Sequence, residues 1–332
     1  MKKVSLKTIA EAVGVSSATV SLVLNGKDKN GRVSSEISKK ILEKAEELNY
    51  VPNALAKGLR VGKSKIIGLV IADVSNLFFG ALALHIQEFA QDHGYMVIIG
   101  NTNEQADEMQ KMIKFMYARQ VDGIILTPTE NSQYQIENLM NRNIPFVLVD
   151  RTFPDLDVNS VMIDNYGISY RSAEYLISLG CKNIGVITYK QDHFHISERK
   201  RGVVNALRDN GIYHEENIKE VRYNYLKEDI YRAIDELMSG NEKIDGIFFT
   251  TNSISIIGVK ALASKGVHIQ KDIQIMCFDE NDAFDILPYK VPYIKQPIKD
   301  IAQKSVEMLI SVIEDGQKQT SNVVLDSELI LS

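Results

Sequence analysis

The chain has no tryptophan, only two cysteines and only seven prolines among 332 residues. Cys181 and Cys277 each sit inside an apolar segment, which excludes a disulfide framework and a cysteine metal site and makes both read as small core residues. No window approaches the roughly 18 uninterrupted apolar residues of a membrane span. No apolar leader segment follows Met1-Lys2-Lys3, so a cytoplasmic protein is expected. Also missing are a G-x-S-x-G elbow, a phosphate-binding loop, a zinc signature and a catalytic carboxylate pair, and no enzyme class is indicated.

What is present suits a globular protein. With 45% hydrophobic and 24% charged residues the chain has material for real cores in two or three domains. Its net charge of −5 is unevenly divided. Residues 1–65 hold 13 Lys and Arg against 6 Asp and Glu, or +7; residues 66–332 hold 25 against 37, or −12. A basic head on an acidic body points the head alone at a polyanion, because Lys and Arg neutralising phosphates supply most non-specific affinity for nucleic acid.

Within the head, Leu6, Ile9, Ala10 and Val13 recur at helical spacing, Gly14 interrupts them, and Val15, Val20, Val23 and Leu24 resume the pattern after Ser16. This predicts helix, tight turn, helix. Ala10 is small enough for a close crossing, Gly14 can take the positive φ of the turn, and Ser16 can cap the second helix. Ser17, Ala18 and Ser21 then face outward at a helix start that can enter a DNA major groove. Ile37, Ile41, Leu42, Ala45 and Leu48 form the stripe of a third helix, capped by Ser34 or Ser35.

From residue 66 onward short apolar runs alternate with amphipathic helices. Runs at 66–72, 96–99, 123–126 and 146–149 are separated by helices near 78–93, 105–119 and 134–142. A second series has runs at 184–187, 246–249 and 275–278. Continuous apolar strands between helices imply parallel sheets covered on both faces, here in two similar halves. Ligands bind such sheets beyond the carboxyl ends of the strands, which makes candidates of Asp73, Thr127, Asp150, Arg151, Asp164, Asn165, Thr250, Thr251, Asn252 and Asp279.

T-I-A-x-x-x-G-V-S-x-x-T-V-S-x-V-L-N from Thr8 to Asn25, followed by E-L-N-Y-V-P-N-A-L-A-K-G-L-R from Glu47 to Arg60, resembles the head and hinge of the lactose-repressor (LacI/GalR) family of bacterial transcription regulators. The resemblance implies an α + α/β chain: a helix-turn-helix, three-helix head, then a periplasmic-binding-protein-like body of two doubly wound parallel-sheet lobes. The expected division is a head at 1–50, a hinge helix or linker at 51–62, a first lobe of 63–163 with 292–320, and a second lobe of 164–291 with 321–332. It further implies a homodimer on pseudo-palindromic operator DNA, nucleoid-associated, with no cofactor and no metal.

By the same resemblance the DNA surface comprises Thr8, Ser16, Ser17, Ala18, Thr19, Ser21, Leu22 and Asn25 in the head and Tyr50, Asn53, Ala56, Lys57 and Leu59 around the hinge. Leu59 takes the place of a leucine that wedges into the minor groove, where the cost of unstacking one base step is repaid by the wider surface of bent DNA. The effector site is expected to use Phe78 and Phe79 as stacking surface, Arg199 as a forked donor, and Asp150, Phe249, Asn252, Asp279 and Gln296. His193 and His195 precede Arg199 as possible selectivity residues, since two histidines without further ligands at metal spacing make no metal site.

Three departures from the family's pattern bear on specificity. Leu22 and Ser38 stand where many relatives have arginine, Ser17 and Ala18 are short base-reading side chains, and Ser253 replaces an aspartate that often follows Asn252. Small groups favour thymine methyls over bidentate hydrogen bonds. The expected function is a regulator, more often a repressor, controlled by a sugar or sugar derivative. A nucleobase or nucleoside effector and a phosphocarrier-protein partner remain open, with a solute-binding protein as the remote alternative.

Overall fold

The computed structural model of the chain describes residues 4–26, 28, 33–50, 63–190, 193–240, 242–316 and 319–331. Two units separate, Met1–Ser64 and Lys65–Ser332. Among the described residues no single helix is long and apolar enough to cross a membrane.

Among its described residues the first unit holds three helices, α1 (Leu6–Val13), α2 (Ser17–Leu24) and α3 (Ser35–Glu47). Ser5 and Thr8 form a capping box on α1, and Gly14 stops that helix in the left-handed region at φ 74°. Ser16 caps α2 through the Thr19 N–H and Ser34 caps α3 through that of Ile37. The axes of α1 and α2 lie 107° apart. Ile9, Ala10, Val20, Val23, Ile41 and Ala45 close the core between the three helices. Ser38 is buried, donating to the Asp28 carboxylate at 2.8 Å, so the position read as a departure ties α3 to the loop before it.

The second unit contains two six-stranded sheets. The first lobe has β1 (Ile66–Ile71), β2 (Met96–Asn101), β3 (Gly123–Leu126), β4 (Phe146–Val149) and β5 (Ser160–Ile163), with α4 (Leu77–Asp92), α5 (Ala106–Ala118) and α6 (Gln133–Asn141) between the first four. The second lobe runs α7 (Asn165–Ser178), β6 (Ile184–Tyr189), α8 (Phe194–Asp209), β7 (Ile218–Val221), α9 (Leu226–Met238), β8 (Gly246–Phe249), α10 (Asn252–Ser264) and β9 (Gln274–Phe278). It closes with β10 (Tyr293–Lys295); α11 (Ile298–Asp315), β11 (Asn322–Leu325) and β12 (Glu328–Ile330) follow.

Strand order is β11-β5-β4-β3-β1-β2 in one sheet and β12-β10-β9-β8-β6-β7 in the other, all parallel except β12. β10 therefore lies in the second lobe, beside β9, although 292–320 was expected in the first. Likewise β11 pairs with β5 of the first lobe, although 321–332 was expected in the second. The chain passes between the sheets at 164, at 296–297 and at 326–327, so Gln296 stands in a crossover. β5 and β7 were not foreseen from the apolar runs.

α7 and α8 pack closely at Gly202. A Cβ on Gly202 would stand 2.4 Å from the Tyr166 carbonyl oxygen and 3.1 Å from the Tyr170 nitrogen, both backbone atoms that cannot swing aside. Gly202→Ala should therefore destabilise the body by about 1–3 kcal/mol despite the better helix propensity of alanine. Urea unfolding would show it; unchanged stability would mean that the two helices are free to separate.

Candidate functional site

In the head, Ser17 and Ala18 are exposed at the start of α2, with Ser21 and Leu22 half-buried behind them. Thr8, Ser16, Thr19 and Asn25 are occupied in holding helix ends: Thr8 in the capping box, Ser16 with Thr19 at 2.9 Å between hydroxyls, and Asn25 Nδ2 donating to the Ser21 carbonyl at 2.7 Å. Tyr50 packs half-buried against the head core. Asn53, Ala56, Lys57 and Leu59 lie outside the described residues.

The body's cleft is built at the carboxyl ends of both sheets. From the first lobe, Arg151 follows β4 and Glu104 follows β2; the two guanidinium Nη atoms donate to the two carboxylate oxygens at 2.6 Å each. Burial opposes the charge on Glu104, yet the forked Arg151 contact holds its carboxyl down at about 2. Arg151 also donates to the Pro128 carbonyl at 3.2 Å and stands 3.4 Å from both Asp150 Oδ2 and His193 Nε2. His193 belongs to the second lobe and so brings the ion pair into contact with α8.

From the second lobe, Arg199 on α8 sets its guanidinium carbon over the Phe278 ring, 3.5 Å from the centroid. Its Nε donates to Asn165 Oδ1 at 2.7 Å and Nη1 to the Thr250 carbonyl at 3.0 Å. Burial lowers it to about 10. Asp279, at the end of β9, accepts from Gln296 Nε2 at 2.6 Å. Burial pushes its carboxyl up to about 6 against the pull of Arg199. Asp150 is raised by burial in the same way, and burial together with Arg151 and Arg199 drives His195 far below its usual value, which keeps it neutral.

Asp150 and Asp279 end the corresponding strands β4 and β9 and both adopt left-handed backbone, φ 67° and 70°. Aspartate tolerates this region better than most residues, and here the turn carries each carboxylate beyond the sheet edge into the cleft. A further bond links the lobes directly: the Tyr223 hydroxyl after β7 donates to Asp73 Oδ2 after β1 at 2.8 Å.

Eight of the ten expected effector residues line one cavity: Phe78, Phe79, Asp150, His193, His195, Arg199, Asp279 and Gln296. Phe78 and Phe79 meet edge to face at 5.1 Å between centroids. Phe249 does not reach the cavity; its ring is fully buried in the second-lobe core, in space that Gly258 leaves by lacking a Cβ. Asn252 is absent from the lining as well, its amide tied to the Glu280 carbonyl and to Asn281. Sequence reasoning missed Glu104, Tyr189 and Tyr223. Glu104 lies just past the true end of β2, which the apolar run had closed two residues early, and Tyr223 follows an unrecognised strand. Among the described residues no three metal-ligating side chains converge.

Two family patterns match the chain: bacterial regulatory proteins of the lacI family at residues 5–53, and the periplasmic binding proteins and sugar binding domain of the LacI family at residues 64–330. The chain belongs to the LacI family. This LacI-family member is a DNA-binding transcriptional regulator, and its relatives are regulators, not enzymes. The ribose operon repressor of Halalkalibacterium halodurans is 30% identical over 98% of this chain and 96% of its own. Catabolite control protein A of Priestia megaterium is 28% identical over 97% and 96%. The Lac repressor dimer bound to operator and the anti-inducer ONPF superposes with a TM-score of 0.84 at 20% identity, covering 99% of this chain and 98% of that one, a likeness of fold.

The raised Asp279 carboxyl has a consequence for stability. A carboxylate unfolds with a value of about 4 and here titrates at about 6, so between those pH values the native state holds a proton that the unfolded state has lost. The contribution of Asp279 to stability is therefore greatest below pH 4 and declines as pH rises to 6, by at most about 3 kcal/mol. Asp279→Asn should lack that decline, so the stability of variant minus wild type, from urea titrations at pH 4.5 to 7.5, should grow with pH. A flat difference would show that Asp279 ionises normally.

Proposed function

We propose that the cleft binds a sugar or sugar derivative and that its occupancy controls the affinity of a homodimer for operator DNA. The observation that carries this reading is a pair of buried polar atoms without hydrogen-bond partners, His195 Nδ1 and Gln296 Oε1, in residues that line the cavity beside Asp150, Arg199 and Asp279. An unpaired buried acceptor or donor costs about 1–3 kcal/mol, which a ligand hydroxyl would recover. Hydroxyls both donate and accept, so they suit neutral His195, the Gln296 oxygen and the aspartates together.

Charge favours a neutral ligand. Both Nη atoms of Arg151 go to Glu104 and its Nε, without a hydrogen-bond partner, faces Asp150, while Arg199 faces Asp150 and Asp279, so no arginine in the cavity is left without an acidic neighbour to meet a phosphate. Relatives named as ribose operon repressors, and a structural likeness to the transcriptional regulator CelR in complex with cellobiose (TM-score 0.72, 20% identity), agree with a sugar. The Lac repressor dimer on its operator supports the homodimer. In this reading α2 reads bases with Ser17, Ala18 and Leu22, and Leu59 wedges the minor groove.

A thermal-shift screen of sugars, sugar acids, sugar phosphates and nucleosides tests it. A ligand at a hundred times its Kd adds about 2.7 kcal/mol, a rise in Tm of several degrees. At least one neutral sugar should produce that rise in the wild type and none in Asp279→Ala. A response to nucleosides or phosphorylated ligands alone would overturn the sugar reading.

A further inference from the structure

Away from the cleft, α5 and α6 enclose a groove on the outer face of the first sheet, and no residue lines both spaces. These two helices cover the side of the sheet lined by Val70, Ile124 and Leu126, whereas α4 and α11 cover the other. The groove holds about 280 Å³, near the lower end of the ~300–1,000 Å³ range of small-molecule sites. Its apolar lining is Leu139, buried, with Ile113 and Ile144, half-buried. Each helix adds a tyrosine that is largely in water: Tyr117 of α5 is 57% exposed and Tyr134 of α6 65%. Lys114 and Arg142 also line the groove, no carboxylate does, and among the described residues neither cation forms an ion pair. The Arg142 guanidinium carbon stands 5.9 Å from the centroid of the Tyr117 ring. In the same lining the Gln135 Oε1 is buried without a hydrogen-bond partner.

We propose that this groove binds a nucleoside monophosphate, at a site separate from the effector cleft. One small molecule has to meet three features of the lining. Two cations without acidic partners call for an anion, and a phosphate dianion answers both. Tyrosine rings beside an aliphatic surface call for a flat aromatic ring, which a nucleobase supplies by stacking. The unpaired Gln135 oxygen calls for an N–H at the edge of that ring, and the amides of Gln110 and Asn138 can both donate to such an edge and accept from it. A sugar phosphate meets the cations and leaves the rings unused; benzoate meets the rings with a single charge and no N–H. A cation at the end of α6 also offsets the carbonyl end of the helix dipole. That role accounts for neither the exposed rings nor the Gln135 oxygen.

The test is isothermal titration calorimetry on the full chain with AMP, GMP, CMP and UMP, their nucleosides, glucose 6-phosphate and inorganic phosphate. At least one of the four nucleotides should bind, tenfold or more tightly than its own nucleoside, glucose 6-phosphate or phosphate. Lys114→Gln and Tyr134→Ala, both at exposed positions outside the hydrophobic cores, should each weaken that nucleotide at least fivefold and leave Tm unchanged. Binding by none of the four, or binding indifferent to either substitution, would overturn the site. Loss of nucleotide binding in Asp279→Ala would put the nucleotide in the cleft and overturn it equally. Equal affinity for glucose 6-phosphate would overturn the nucleotide as the occupant.

Discussion

Charge buried at the carboxyl ends of the strands is the constraint around which the body is arranged. Glu104 and Arg151 are each more than nine-tenths buried and answer each other with two parallel hydrogen bonds. Removing one partner of such a pair typically costs 3–5 kcal/mol because the other charge is left stranded. The pair thus fixes the loops after β2 and β4 in one arrangement, and His193 settles against it from the other lobe. Arg199 is held the same way, by Asn165, the Thr250 carbonyl and the face of Phe278. The scaffold spends its strong donors internally, and it leaves Asp279, Gln296 and His195 with capacity to spare.

That division of labour bears on how a ligand would act on the two lobes. Among the described residues, direct polar links between the lobes include Tyr223 to Asp73 and His193 to the Arg151–Glu104 pair. A ligand between the lobes can shift their arrangement only by its differential affinity for the possible states. The three crossovers at 164, 296–297 and 326–327 are the covalent paths along which such a shift is constrained, and Gln296 stands in one of them while contacting Asp279. A ligand that contacted Gln296 would therefore act on a crossover and on the cavity together.

Much of this was legible in the residues. Capping serines, Gly14 and the apolar spacing specified the head because they act locally, within one turn of helix. Strand-end position put Asp150 and Asp279 among ten candidates, and the family resemblance singled them out. What escaped depended on distant pairing. β7 reads Ile-Lys-Glu-Val and lies at a sheet edge, so it lacks the continuous apolar run of a central strand. β11 and β12 are too short for their composition to say which sheet they join. Phe249 occupies a strand end like the cavity-lining Asp150 and Asp279, but Gly258 opposite it opens a hole in the core that only the folded structure reveals.

The proposed function requires that the cleft and the DNA surface be coupled. Its most direct test is the Kd of the full chain for a duplex selected from a random-sequence pool, measured by fluorescence anisotropy with and without a sugar shown by calorimetry to saturate the cleft. Coupling of the usual 1–3 kcal/mol predicts a change of about fivefold or more, in either direction. An unchanged Kd at saturating sugar would contradict the claim.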